Sequence, residues 1–293
     1  MKYTFIDKHR DEFPVLKMVE ILGVSRGGYY RWQHEPISKR EQADMDLKEQ
    51  IESVFKASGE TYGSPRVYLD LKEDNIVCGR TRVERLMKEH DLIAKAARKY
   101  KATTDSNHPH PPSPDLVNRN FTADEPDKLW VSDITYIHTD EGWLYLCTVI
   151  DLFSRRVVGW TQSKRMKADM VVRAIQMAVD ARHPKAGIIF HSDRGSQYAS
   201  KKVRKIMKKY GFRQSMGSKG DAYDNAAAES FFHTLKVELV NWVRYFTRSE
   251  AKISLFRYIE LFYNRMRRHS YCGQISPVKY EQAYYLKQLG EAA

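Results

Sequence analysis

The chain has 293 residues, 42% of them hydrophobic, which suffices for a packed core and exceeds the usual length of one domain. Its 49 Lys and Arg against 37 Asp and Glu leave a formal charge of +12, pointing to a polyanionic partner such as nucleic acid or an acidic membrane surface. No apolar run approaches the roughly 18 residues of a membrane span, and MKYTFIDKHRDEF at the start carries neither a signal-peptide core nor a lipidation pattern. A cytoplasmic location is expected. Cys78, Cys147 and Cys272 are far apart, sit in no metal-ligand spacing and read as reduced thiols.

In chain order, residues 1–38 read as a helix-turn-helix-like segment. Val15, Leu16, Val19 and Leu22 form a helix face, Gly23 stops that helix, and Ser25 caps a second one populated by Tyr29, Tyr30 and Trp32. Residues 39–101 read as a second helix-turn-helix-like, DNA-binding segment. In it residues 39–58 form a charged amphipathic helix, taken as a solvated connector. Residues 64–93 carry Arg80, Arg82 and Arg85 on a helix held by Val83, Leu86 and Met87. Either pattern alone also fits an ordinary helical hairpin. Residues 102–122, rich in proline and polar residues, read as a linker, and His108 and His110 within it lack metal-ligating neighbours.

Beyond the linker, 129–137, 143–153 and 155–162 are rich in β-branched and aromatic residues with short turns between, which predicts three antiparallel strands. A helix over 168–182, a short buried strand at 187–190 and a strongly basic helix over 201–212 follow. This order predicts a mixed sheet covered by helices within an α/β region spanning residues 123–286, with a helical C-terminal extension.

Three acids stand out. Asp133 interrupts the apolar strand LWVSDITYI, where an unpaired carboxylate costs several kcal/mol by order of magnitude, so a cation or an arginine must compensate it. Asp193 closes GIIFHSD and can lie beside Asp133 if their strands are neighbours. Glu229 lies on a helix whose Ala228, Phe231, Phe232, Leu235 and Leu239 share one stripe, with His233 and Lys236 on the adjoining face; a solvated helix face explains that cluster equally well. Asp151 reads as a strand-end residue, and Asp221 and Asp224 as loop and capping residues.

WVSDITYI, VIDLFSRRVVGW, HSDRGSQYAS, SMGSKGDAYDNAAAESFFHTLKVEL and YNRMRRHSYCGQISPVKYEQ, in this order, resemble the DDE transposases of bacterial insertion sequences. The likeness is to the product of the second reading frame, related to retroviral integrases. GVSRGGYYRW and YGSPRVYLDL extend it to the N-terminal region, so it covers nearly the whole chain. Cys272 departs from the pattern, where a leucine is expected, and bears on packing alone.

The resemblance implies a ribonuclease-H-like catalytic core with a mixed five-stranded sheet, preceded by a small all-α helix-turn-helix region. It implies that Asp133, Asp193 and Glu229 are the catalytic, metal-holding acids for two Mg²⁺ ions, with Mn²⁺ as a substitute. The same family reading puts DNA contacts at Lys236, Arg194, Lys219, Arg80, Arg82 and Arg268. The expected activity is cleavage of element ends and joining of the 3′-hydroxyl to DNA. The expected partners are terminal-repeat and target DNA, a second copy of the chain in the DNA complex and a fused first-frame product, at the bacterial nucleoid. A DNA-binding regulator with an inactive core and a nonspecific ribonuclease-H-like nuclease are the alternatives.

Overall fold

The computed structural model describes residues 1–34, 37–95, 113–117, 120–217 and 226–291. The chain divides into two compact units, Met1–Ile93 and Ala94–Ala293. His108, His110, Lys219, Asp221 and Asp224, and most of the expected linker, lie outside the described residues.

In the first unit, α1 (Lys2–Lys8), α2 (Val15–Ile21) and α3 (Arg26–His34) close around Ile6, Met18, Val19 and Tyr29. Gly23 adopts a positive φ of 62° just past α2, a conformation that costs glycine little and stops the helix. Ser25 Oγ accepts from the Gly28 amide at 3.0 Å, so the expected cap at the start of α3 is present. Two details differ from expectation. Leu16 faces solvent, and Met18 takes its place in the core because α2 turns its Val15, Met18, Val19 edge inward. The helix α1 was not foreseen, since KYTFIDK has no apolar period and buries only Ile6.

The same unit holds α4 (Lys39–Ala57), α5 (Ser64–Glu73) and α6 (Arg80–Glu89). A capping box starts α4: Ser38 Oγ accepts from the Glu41 amide at 3.1 Å and Glu41 Oε2 from the Ser38 amide at 2.8 Å. The expectation of a solvated connector at α4 is corrected. Leu47, Ile51 and Phe55 repeat every fourth residue and are buried with Val67, Leu71, Val83, Leu86 and Met87 of the helices packed on it. Asp44 of α4 grips α6 through Arg82 Nε at 2.5 Å and Arg85 Nη2 at 2.6 Å.

The second unit is built on β1 (Leu129–Ile137), β2 (Leu144–Asp151) and β3 (Val157–Ser163), an antiparallel meander, followed by α7 (Ala168–Arg182), β4 (Ile189–Ser192), α8 (Lys201–Tyr210) and β5 (Arg213–Met216). The sheet order is β3-β2-β1-β4-β5, with β4 parallel to both β1 and β5. It is the mixed five-stranded sheet with flanking helices that the family resemblance implied. Trp130, Val149, Met170, Ala174, Phe190 and Val203 belong to the core shared by the sheet with α7 and α8. The opposite core takes Val131, Leu146, Ile150 and the apolar stripe of α9 (Ala226–Glu238). Gly159 on β3 admits α7 closely, since a Cβ there would stand 2.8 Å from the Ala178 amide nitrogen.

The strand expected at 187–190 runs instead from Ile189 to Ser192, because Gly187 takes a φ of 102° and the strand starts after it. After α9 come α10 (Arg248–Phe256), a π-helical run Arg257–Tyr263 and α11 (Pro277–Glu291). Buried polar ties fasten them to α9, to β3 with the turn before it, and to α7. Glu238 receives Arg267 Nη2 at 2.7 Å and the Tyr258 hydroxyl at 2.7 Å, and Asn264 bonds both backbone groups of Val157. Glu281 receives Arg182 Nη1 at 2.8 Å and Arg156 Nη1 at 2.7 Å. Cys272 is buried and its thiol donates to the Ser154 carbonyl at 3.1 Å, a packing role.

Candidate active site

The register of β1 and β4 ends with Ser132 opposite Ser192. The next residue on each strand is an acid, so Asp133 and Asp193 emerge level with each other where β4 stops. Asp133 Oδ1 accepts from the Ile134 amide at 2.7 Å, and Asp193 Oδ1 from the Gly195 amide at 2.9 Å. Burial, then the neighbouring Asp193 charge, push the Asp133 carboxyl up to about 8; Glu229 adds to the rise and Lys236 opposes it. Asp133 therefore feels all three of the other charges singled out in the sequence.

Gly195 is needed here for space. A Cβ at that position would lie 2.9 Å from Asp193 Oδ1 and 3.0 Å from Gln197 Oε1. Behind the acids is a closed layer in which Ser132 Oγ and the Tyr198 hydroxyl are 2.9 Å apart and both contact the Cys147 thiol. Burial lifts the Tyr198 hydroxyl well above its ordinary value and the Cys147 thiol up to about 12, so this layer stays neutral. Sequence reasoning passed over Tyr198. The signal was the spacing in DRGSQY, which returns a large ring beneath the strand end.

Glu229 lies in the first turn of α9 and is exposed, with partial desolvation raising its carboxyl above the usual range. Lys236, two turns on, is half-buried with Nζ 5.3 Å from the centre of the Tyr136 ring. Among the described residues, no three His, Cys, Asp or Glu side chains stand together at metal-ligating spacing. The donor set nevertheless suits a hard cation: carboxylate oxygens, two of them on adjacent strands, with a like-charge repulsion that a divalent ion would relieve.

The other residues expected at DNA are placed as follows. Arg194 is half-buried and its Nε donates to the Gly217 carbonyl at 2.6 Å. Arg268 is buried, and Nη1 donates to the Gln274 carbonyl at 2.8 Å, so it braces the turn after the π-helical run instead of facing solvent. Arg80 is exposed at the start of α6, whereas Arg82 is half-buried against Asp44. Arg40, Thr81, Arg82 and Arg85 line a cleft on the first unit. Asp151 is fully buried and accepts from the Asp127 and Phe153 amides at 2.9 and 3.0 Å and from Arg182 at 3.2 Å, a strand-end structural residue.

A five-stranded mixed sheet of this order, with acids emerging side by side from β1 and the end of β4, defines the class of integrase-type catalytic cores. Family models agree. "Integrase core domain" matches residues 123–222 and, in a second model, 229–284, and "HTH-like domain" matches residues 41–100. The chain is 45% identical over 269 residues to the insertion element IS600 uncharacterized 31 kDa protein of Shigella sonnei, covering 92% of this chain and 98% of that protein. It is 41% identical over 283 residues to transposase InsF for insertion sequence IS3A of Escherichia coli strain K12, covering 96% and 98%. The HTLV-2 integrase catalytic core domain in complex with magnesium is similar with a TM-score of 0.40 at 15% identity, covering 54% of this chain and 97% of that one. The chain belongs to the insertion-sequence transposases of the IS3 type.

Proposed function

We propose that this transposase cleaves the ends of its insertion element and joins the freed 3′-hydroxyl to target DNA, with Asp133, Asp193 and Glu229 holding two Mg²⁺ ions, for which Mn²⁺ can substitute. The observation that carries the proposal is the level emergence of Asp133 and Asp193 within reach of the Glu229 charge. Two bound ions would activate the attacking oxygen and stabilise the leaving one. The chain's own residues supply the frame. The Ile134 and Gly195 amides aim the two aspartates, the Ser132, Tyr198 and Cys147 layer keeps water from behind them, and Lys236 meets a phosphate beside Glu229. No side-chain nucleophile is required, because water and then the DNA end attack directly.

For DNA affinity the reading assigns the first unit, with the cleft of Arg40, Arg82 and Arg85 and the exposed Arg80 supplying phosphate contacts. Lys219 and Arg194 are assigned to the DNA close to the acids. The functional division proposed is 1–38 and 39–101 for DNA, 102–122 as linker and 123–286 as the catalytic region. Among the described residues no helix is long and apolar enough to cross a membrane. The proposed setting is the bacterial cytoplasm at the nucleoid, with a second copy in the DNA complex and a first-frame product as a fusion partner. The test is incubation of the protein and Mg²⁺ with labelled duplexes. Cleavage confined to one terminal sequence supports the proposal, cleavage of any duplex supports a nonspecific nuclease, and binding without cleavage supports a regulator.

A further inference from the structure

The hairpin between β1 and β2 carries aromatic rings that neither core uses. Tyr136 is 37% and Trp143 46% exposed, their rings meet edge to face at 5.0 Å, and the exposed His138 ring stands 5.3 Å from Trp143. One exposed ring is unremarkable, but three on one hairpin form a patch that calls for a partner.

The hairpin is held rigid. Gly142, at a φ of 103°, donates its amide to the Thr139 carbonyl at 2.8 Å, and the Asp140 amide donates to the Tyr245 carbonyl at 2.9 Å. Arg244 pairs with Asp140 at 3.1 Å, and Arg248 Nε donates to the Trp143 carbonyl at 3.1 Å. The rings are therefore pre-positioned, and little ordering is left to be done on binding.

Cations border the rings. Lys236 Nζ lies over Tyr136 and its charge also reaches Asp133, so one ammonium links the acidic site to the aromatic patch. The Arg244 guanidinium, paired with Asp140 of the same hairpin, lies over the exposed Phe246 ring at 5.4 Å. Rigid ring faces with cations beside them match the chemistry of an unpaired nucleobase and its adjoining phosphate. A terminal base pair opens at less cost than an internal one, because it has a stacking neighbour on one side only. This singles out a DNA end.

We propose that Tyr136 and Trp143 form a stacking platform for a base unpaired at the end of the DNA being processed, with Lys236 at the phosphate between that base and the acids. The proposal rests on the reading of Asp133, Asp193 and Glu229 as the transfer site. It adds a specificity element that favours ends able to open.

The test uses full-length protein carrying Asp193→Asn, bound to element ends with 5-iodouracil at the terminal position of the transferred strand and irradiated. Adducts mapped to Trp143 or Tyr136 are expected from that position. A label deep in the end fragment or in the target duplex should give none there. Adducts confined to other residues, or equal adducts from the target label, would overturn the platform. In the cutting protein, Trp143→Ala should slow cleavage of fully paired ends roughly ten-fold, within the range one stacked base supplies. The deficit should shrink when the terminal pair is mismatched, and Trp143→Phe should keep most activity. Equal loss on paired and mismatched ends, or no loss on either, contradicts the proposal. The crosslink is read without turnover, so a parent protein that never cuts would refute the transfer reading while the adducts still decide the platform.

Discussion

Asp133 and Asp193 lie level with each other, one residue past the last registered pair of β1 and β4. Sixty residues of chain separate them in sequence, and a parallel pairing of only four residues brings them together. Because β4 is so short, anything that disturbs its end disturbs one acid without touching the rest of the sheet.

Gly195→Ala tests that sensitivity. The added methyl would crowd Asp193 Oδ1 at 2.9 Å and Gln197 Oε1 at 3.0 Å, so the carboxylate must turn away. End cleavage should fall by roughly ten-fold or more, as small misplacements at reacting centres do. The thermal midpoint should change little. A variant that cuts like the parent would show that the Asp193 position is not critical.

A second prediction concerns protons and ions. In metal-free protein the Asp133 carboxyl is pushed up to about 8, above its ordinary value near 3.9 when unfolded. A raised folded value means stability that is fully present below the unfolded value and is lost as pH rises through 8. A divalent ion takes over what the proton did. Mg²⁺ should therefore raise the melting temperature more at about pH 9 than at about pH 6 in the parent, and hardly at all in Asp133→Asn. Equal Mg²⁺ shifts in parent and variant would contradict this.

Lys236→Ala should reduce cleavage and joining severely without unfolding the protein, and Lys236→Arg should retain part of the activity. An ordinary surface substitution changes stability by no more than about 0.5 kcal/mol, so folding serves as the control. Full activity for Lys236→Ala on the same terminal substrate would remove the phosphate contact and leave the three-acid reading untouched.

The buried pair of Glu238 and Arg267 offers a purely structural comparison. Both side chains are under 9% exposed, and the Tyr258 hydroxyl shares the carboxylate. Arg267→Ala leaves a buried charge without its partner and should cost about 3–5 kcal/mol in urea unfolding. A loss below about 1 kcal/mol would show that water or rearrangement replaces the guanidinium.

The catalytic half was readable from sequence where pattern and structure share a period. LWVSDITYI is β1 from end to end, and ADMVVRAIQMAVDAR is α7. The two aspartates were legible as a pair because apolar strands that end or break on an acid are costly. The fifth strand, RQSM, is four residues, three of them with polar side chains, and carries no period to detect. The burial of α4 was hidden by its charge: three core residues spaced four apart among acids and lysines look like a solvated helix until α5 and α6 cover them. The family resemblance puts Arg268 at DNA, and only the fold shows it turned inward to Gln274. The spacing in DRGSQY hinted at Tyr198, but its role was hidden because its partner, Ser132, is distant in sequence and on the far side of the strand from the acids.

The most direct measurement of the central claim is Mg²⁺-dependent cleavage of labelled element ends by the parent and by Asp133→Asn, Asp193→Asn and Glu229→Gln, each with its DNA affinity measured alongside. All three variants should bind ends nearly as the parent does and cut none of them. Substantial Mg²⁺-dependent cleavage retained by any one of the three would contradict the assignment of that acid to the site.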